Sequence, residues 1–572
     1  LFIITAEEIT TGETVAVRLG ECEAFAKRLY AADQLIGHNI YNFDLPALQA
    51  CLGWWDRLED VNDYDTMIGT RLIYSNLFNE DFERHRANPN GEFPKNLFGS
   101  HSLKAWGLRM GVMKQDYSGS FDAYSDEMFE YAKQDVVVTK ALWDLIQSHA
   151  YAQDAQDLEQ SVARLMARQE RTGFDFDVQS AEALLRDLQA EQADLNDRLQ
   201  AAFPPWEIRT PFTPKANNKK LGYEKGVETY KSKTVVFNPT SRDHIADRLR
   251  TLHGWEPEEW TPAGKPKVDE TVLSSLPYPE AQLLARNFLL DKRIGQLATG
   301  SQAWLKKQKS GRIHGRVNTM GAVSSRATHS NPNVAQVPGN RALFGRECRS
   351  LFVAPKGRVL VGSDASGLEL RALAHMLSIA GDHSYAEEVV NGDIHTRNQE
   401  AAGLPDRSTA KSFVYALLYG SGDQLLGKLL GGGRKKGAAA RKKFFENLPA
   451  LEKLSRHVQH RAETVGFLYG LDRRKMHCRA PFAALNLLLQ GMGAVICKRW
   501  LVEMDLLFKE RGLDVLHHAW VHDEVQLSCP PDQADAVGAA CQAAMRKVQA
   551  YYSIQCQLDT DYSVGSSWAE TH

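Results

Sequence analysis

The chain has 572 residues, 43% hydrophobic and 24% charged, and its 68 Lys and Arg against 71 Asp and Glu give a formal net charge of -3. These fractions exclude collagen, coiled coil and disordered tail, and at roughly 150 residues per domain the length predicts about four domain-sized units. No apolar run approaches the roughly 20 residues of a membrane span, and the eight cysteines contain no CxxC pair, which argues against zinc knuckles and a disulfide scaffold and predicts a reducing, cytoplasmic setting.

From residue 1 to about 150, short β-rich runs alternate with helical stretches, an α/β pattern. The opening Leu1-Phe2-Ile3-Ile4 is too short for a secretory signal core and lacks a basic leader. The missing initiator Met predicts a processed chain or an N-terminal fragment. Residues 1–5 and 14–19 read as strands around a Thr11-Gly12 turn, with Glu7-Glu8 in that turn. Residues 37–44 lead into a helix from Leu45, where Asp44 by itself reads as a cap. Tyr131 and Asp135 are one helical turn apart and share a face. From about Ala155 to Phe203 the pattern is helical, and Leu184, Leu188, Leu195 and Leu199 form a stripe that core packing explains. Residues 207–236, rich in Lys and Pro without periodicity, are predicted to be a mobile basic loop.

Between residues 301 and 358 eleven basic residues, from Lys306 to Arg358, accompany one acid, Glu347. A polyanion would meet a strong local field there despite the balanced total, though a solvated basic face explains the run equally well. Residues 358–364 form an apolar strand ending in Asp364, followed by the turn Ala365-Ser366-Gly367 and helical spacing over 368–377. A strand-end carboxylate suits a metal, because the strand fixes its backbone while the tip faces a cleft; the alternative is a helix cap. Pro405 and Asp406 start a helix that Gly420 stops. Arg407, Lys411, Tyr415 and Tyr419 recur every four residues along it, on one face. Two fixed cations followed by aromatics can hold a triphosphate and stack on base and sugar. Snorkelling explains the cations but not the tyrosines. A second flexible basic patch, residues 431–436 and 441–443, is predicted to interrupt the helices beyond. Residues 515–521 and 525–527 read as a hairpin with His522-Asp523-Glu524 at its tip. Turn aspartates are common for backbone reasons. Paired with Asp364, however, a tip carboxylate would help to hold two divalent ions about 3.5–4 Å apart, the spacing of two-metal phosphoryl transfer.

The order and wording of these segments resemble motifs A, B and C of family A DNA polymerases: Asp364-Ala365-Ser366-Gly367-Leu368-Glu369-Leu370-Arg371, the RxxxKxxxYxxxYG helix, and Trp520-Val521-His522-Asp523-Glu524. Within that family they are most similar to the replicative polymerases of T-seven-like phages. Arg326-Ala327-Thr328-His329, Asn333-Val334-Ala335-Gln336, Asp393-Ile394-His395-Thr396 and Leu485-Asn486-Leu487-Leu488-Leu489-Gln490 extend the resemblance over nearly the whole chain. It implies an α/β and α+β multidomain fold. An RNase H-like (DEDD) exonuclease domain would occupy residues 1–150 and a right-hand polymerase 151–572, with thumb 151–310, palm 311–385 and 475–572, and fingers 386–474. It further implies a DNA-directed DNA polymerase, a nucleotidyltransferase adding dNTPs to a primer 3′-OH in the cytoplasm of a phage-infected bacterium.

Carried over by position, Asp364, Asp523 and the Ala365 carbonyl would hold two Mg²⁺ ions, and the adjacent Glu524, counted with the catalytic acids, would support the site from behind them. His395, Arg407 and Lys411 would bind the incoming triphosphate. Glu369, hydrogen-bonded to Tyr419, would exclude a ribose 2′-OH. Tyr415 stands where the family carries Phe or Tyr, and its hydroxyl would replace a missing 3′-OH, so ready use of chain terminators is expected. Arg326, Thr328, Gln336, Gln490 and His522 would contact the primer-template, and the basic span the duplex backbone.

Residues 37–44 and 131–135 resemble the second and third motifs of DEDD exonucleases, giving Asp44, Tyr131 and Asp135 as exonuclease-like residues; Asp65 resembles an internal position of that domain. The first motif, an Asp-x-Glu on the opening strand, is absent, and Glu7-Glu8 has the wrong spacing. Two acids hold two divalent ions poorly, so a vestigial or truncated proofreader is expected. The segment that docks thioredoxin in the phage relatives is short here, about residues 203–236, which argues against a thioredoxin-type processivity factor. A replicative helicase or primase fits such a polymerase as a partner, and no membrane partner is expected. The alternatives are a single-subunit RNA polymerase, opposed by Glu369 and Tyr415, and a non-catalytic DNA-binding polymerase fold, opposed by the intact Asp364, Asp523, Arg407 and Lys411.

Overall fold

The computed structural model describes residues 3–572 except Leu19, residues 58–61, Asn90, Glu92, residues 113–116, Ser118, Ser120 and Phe121. Ile3–Glu8 (β1) and Glu13–Arg18 (β2) pair antiparallel, with Glu8 opposite Glu13. Glu7 and Glu8 therefore extend the strand instead of making the turn. Arg28 explains why they can, since its guanidinium pairs with Glu8 at 2.9 Å and with Glu13 at 2.6 Å and cancels the facing charges. The expected strand ends Leu1, Phe2 and Leu19 lie outside the described residues. A short parallel pair, Ile36–Gly37 with Tyr64–Asp65, feeds the helices Asp44–Leu52 (α1) and Thr66–Ile73 (α2). Asp44 does not cap α1: the N-cap is Phe43, which makes no side-chain cap bond. Asp126–Ser148 (α3) packs on β1, whose Thr5 hydroxyl donates to the Ala132 carbonyl at 3.0 Å.

Gln153–Thr172 (α4) packs with these elements, because the Gln160 amide accepts from Asp65 N–H at 2.9 Å and donates to Asp65 C=O at 3.0 Å. The chain accordingly divides into two compact units. One comprises Leu1–Asp175, His314–Val337 and Val353–His572; the other comprises Phe176–Ile313 and Pro338–Phe352. The second unit begins at Phe176 and takes in residues 338–352.

In the second unit Val178–Ala202 (α5) buries Leu188, Leu195 and Leu199, with Leu184 half-buried on the same stripe. Trp206–Phe212 (β3) and Thr229–Val235 (β4) form an antiparallel ribbon in continuous register from Trp206–Val235 to Phe212–Thr229. The two ends of the expected loop are therefore paired strands, and residues 213–228 connect them. The five inner residues of each strand are exposed on both faces, so no two-residue burial period marks them. The backbone ladder and cation–ring contacts, such as Arg248 at 4.0 Å from the Trp206 ring centroid, hold the ribbon instead.

The rest of the first unit is built on a four-stranded antiparallel sheet. Arg316–Asn318 (β5) and Thr328–Ser330 (β6) pair beside it. The sheet itself orders Leu516–Val521 (β8), Glu524–Cys529 (β9), Val359–Ala365 (β7) and Thr560–Gly565 (β10). Its apolar face packs Val361, Val525 and Leu527 against Trp500 and Val495 of Ala484–Glu510 (α11) and Val537 of Ala534–Tyr551 (α12). One helix does have the length and hydropathy to cross a membrane, Pro481–Glu510, contrary to the expectation of no such run; 72% of its most apolar window is buried in this core. A layer of helices, Leu368–Ile379 (α6), Ile394–Ala402 (α7) and Arg407–Leu418 (α8), packs with Asp423–Leu429 (α9) and Arg434–Asn447 (α10) around Phe413, Phe444 and Leu426. The basic patch is not a flexible interruption: residues 431–433 make the turn from α9, and Arg434 to Lys443 are helical. Glycine permits this pairing, since a Cβ on Gly437 would sit 2.0 Å from the Asp423 carbonyl oxygen. The eight cysteines are all free thiols.

Candidate active site

β7 and β9 bring Asp364 and Glu524 to paired positions on neighbouring strands. The turn between β8 and β9 carries His522 and Asp523, with His522 in the left-handed region at φ 60° that a tight hairpin demands. Trp520 Nε1 donates to the His522 carbonyl at 2.9 Å and steadies the turn. Ala365 N–H donates to Asp523 C=O at 3.0 Å, so the end of β7 is tied by main chain to the hairpin tip. Asp364 is a strand-end acid and no helix cap, for α6 starts after Gly367 with no side-chain cap bond.

Burial, with the facing carboxylates of Asp523 and Glu524, holds the Asp364 carboxyl up at about 7. Burial and Glu369 hold Asp523 up at about 6. Acids that resist ionising side by side gain from a cation between them, and carboxylate oxygens beside the buried Ala365 backbone are the donors a hard divalent ion takes. Among the described residues Asp364, Glu524 and His572 form one cluster of candidate ligands, their atoms within 4.8 Å of one another. Glu524 is 5% exposed and held from behind: Gln526 Nε2 donates to it at 2.9 Å, Trp568 Nε1 also donates to it, and His572 Nδ1 lies 3.1 Å from its second oxygen. The C-terminal segment reaches this place because Gly362 has no side chain; a Cβ there would stand 2.3 Å from the Thr571 carbonyl oxygen.

Asp406 caps α8, accepting from Thr409 N–H at 2.8 Å. The helix buries Ala410, Phe413, Val414, Leu417 and Leu418. Arg407 and Lys411 stay exposed on the other face, with Tyr415 half-buried behind them. The Tyr415 and Tyr419 rings stack with centroids 6.4 Å apart, and His395 on α7 lies 6.4 Å from Tyr415. Burial and the charges of Arg407 and Lys411 hold His395 below the usual imidazole range, so the three share one positive field. Arg407 Nε meanwhile donates to Asp393 at 2.7 Å. Glu369 accepts from Tyr419 OH at 2.8 Å and from Arg326 Nη2 at 3.0 Å. Burial and Arg326 lower the pKa of His522, whose ring centroid is 6.4 Å from that of His329. Thr328 is exposed on β6, Gln336 is exposed in the turn Val334–Gln336, and Gln490 is half-buried on α11. Two members of the basic span do not face outward: Arg349 is 6% exposed and donates to the Pro338 carbonyl, and Arg358 binds Asp514 at 2.7 Å.

In the N-terminal segment the enclosing walls and the charges of Asp65 and Asp135 hold Asp44 up at about 6, although its side chain meets solvent. Asp44 and Asp135 therefore share one neighbourhood, with Tyr131 one turn from Asp135 on α3. Asp65 is buried and caps α2, accepting from Met67 and Asn39 N–H, both at 2.9 Å. His572 and Trp568 were missed from sequence, since neither belongs to a periodic pattern and both act on Glu524, more than 40 residues away; Asp393 was named only as part of a segment, without its bond to Arg407.

Acids at adjacent strand tips of an antiparallel sheet, beside a helix presenting two cations and two tyrosines, define a right-hand nucleotidyltransferase. Residues 216–570 match the family model described as DNA polymerase family A. The chain is 36% identical to the DNA-directed DNA polymerase of Escherichia phage T7, covering 99% of this chain and 97% of that relative. It is equally identical to the Enterobacteria phage T3 enzyme, over 98% and 96%. In fold it is similar to the POL domain of Pol1 from M. smegmatis in complex with DNA primer-template and dNTP, with a TM-score of 0.75 and 19% identity over 98% of this chain and 92% of that one. The chain belongs to DNA polymerase family A, whose members are metal-dependent DNA-directed DNA polymerases.

Proposed function

We propose that this polymerase extends a primer 3′-OH with dNTPs by two-metal phosphoryl transfer, as a replicative enzyme inside a phage-infected bacterium. Asp364, Asp523 and the Ala365 carbonyl are the residues that would hold Mg²⁺. When bound there, the ions would offset charge on the attacking and leaving oxygens. Arg407, Lys411 and His395 hold the triphosphate, with Arg407 exchanging Asp393 for phosphate oxygens. Tyr415 and Tyr419 line the base and sugar position, and the Glu369–Tyr419–Arg326 contact leaves no room for a 2′-OH. Glu524, gripped by Gln526 and Trp568, keeps the strand tips in place. Arg326, Thr328, Gln336, Gln490 and His522 contact the primer-template. Residues 176–313 act as thumb, the four-stranded sheet as palm, and the helices around α8 as fingers. The observation that carries this reading is the main-chain bond from Ala365 to Asp523, which unites two acids distant in sequence.

Primer extension on a defined template tests it. Elongation with dNTPs, dependent on a divalent ion and lost in Asp523→Asn, is expected; preferential use of NTPs would favour an RNA polymerase instead. Asp44, Tyr131 and Asp135 are the exonuclease-like residues, and magnesium-dependent digestion of single-stranded DNA, compared between the parent and Asp135→Asn, tests their activity. The lysines of the β3–β4 ribbon hold the template in place of a thioredoxin-type factor, and a helicase or primase remains the replicative partner to test.

A further inference from the structure

We propose that a cavity in the first unit is a subsite for the sugar-phosphate backbone of single-stranded DNA, lying between the exonuclease-like recess and the polymerase site. The cavity, of about 250 Å³, is lined by Asn39 and Asn42, just ahead of Asp44, by β5, and by Thr328 and Ser330 of β6. It thus runs from the exonuclease-like segment to the strand that follows Arg326. Its volume is below the roughly 300 Å³ at which pockets for free small molecules begin, which suits a strand passing across it.

The lining selects for phosphate. Met67, Ile68 and Met166 give the lining apolar surface, Arg71 and Arg316 give it cations, and no carboxylate is among the described lining residues. The acids that act on those arginines, Asp65 and Glu170, stand outside the lining. Arg71 Nη1 donates to Asn318 Oδ1 at 3.1 Å, which fixes one of the five N–H donors a guanidinium carries. Two guanidiniums that repel each other in a partly dry site gain from a shared anion. Thr319 supplies a second, independent sign: it is 2% exposed, lines the cavity, and its hydroxyl has no hydrogen-bond partner among the described residues. A phosphodiester oxygen would satisfy it.

The subsite rests on the polymerase reading, and the test keeps the two apart. Binding of a labelled oligothymidylate of about 12 nucleotides is measured by anisotropy across a salt series, alongside extension of a fully matched primer-template. Arg71→Gln is expected to weaken single-strand binding about tenfold and to reduce the log-salt slope by about one. Arg71→Lys should recover most of the affinity, and matched-primer extension should stay unchanged. Ser330→Glu, an exposed change that adds a repelling charge, should weaken single-strand binding similarly and covers the case in which Arg71→Gln does not fold. Unchanged single-strand affinity in Arg71→Gln and Ser330→Glu would overturn the subsite. So would inorganic phosphate displacing the oligonucleotide completely at equal phosphate concentration, which would indicate a free-phosphate site. Absence of matched-primer extension in the unmodified chain would instead overturn the polymerase reading.

Discussion

Burial opposes ionisation of the Asp364 and Asp523 carboxyls and holds them up at about 7 and about 6. An acid whose pKa is raised by folding binds protons more tightly in the folded state, so stability is full below its ordinary value and falls as pH rises towards the folded one. Without divalent ions the protein should therefore lose stability between about pH 4 and pH 7. Added Mg²⁺ should raise the melting temperature more at pH 8 than at pH 5, and Asp523→Asn should shrink that increment while abolishing synthesis. An equal Mg²⁺ increment at both pH values would refute the shared-ion site. Tyr415, stacked on Tyr419 beside His395, makes a second residue-scale expectation. Tyr415→Phe should raise discrimination against dideoxynucleotides at least tenfold in a competitive incorporation assay, with dNTP turnover little changed; unaltered discrimination would show that the hydroxyl does not substitute for the 3′-OH.

At the scale of elements, α8 was legible from its sequence and the β3–β4 ribbon was not. Cap, stop and four-residue recurrence are all local, and α8 runs from Arg407 to Leu418 as they require. The ribbon has no buried face to impose alternation, and its pairing joins Trp206 to Val235 across the intervening turn. Its Lys231 and Lys233 form an exposed cationic surface. Replacing the ribbon with a short turn should reduce the product length per binding event several-fold, most strongly above about 0.1 M salt, where exposed charges are screened. Single-nucleotide insertion at saturating DNA should be unchanged. Product lengths that match the parent at every salt concentration would remove the ribbon from DNA binding.

Across the whole molecule, a fully buried ionic group joins distant segments: Glu159 of α4 with Arg474 and Lys498, and Arg474 in turn with Asp472, every side chain 0% exposed. It anchors α4, which clasps the N-terminal segment through Gln160, to the long core helix α11. Glu159→Gln leaves Arg474 and Lys498 against Asp472 alone. The expected loss is about 3–5 kcal/mol, read as a lower urea midpoint by Trp fluorescence; an unmoved midpoint would mean that the network contributes no net stability.

Sequence by itself determined what depends on neighbours a few residues apart: the strand ending in Asp364, the cation-tyrosine face of α8, the hairpin tip at Asp523, and the motif order that marks the family. Tertiary structure decided what depends on burial between remote segments. Asp364 stands opposite Glu524 because β7 and β9 pair, with Ala365 bonded to the Asp523 main chain beside it; α4 joins the first unit through Gln160, His572 reaches Glu524 over Gly362, and Arg71 lines one cavity with Arg316. Periodicity is written into successive residues, whereas these meetings follow from which apolar faces close on one another, a property of the folded chain as a whole.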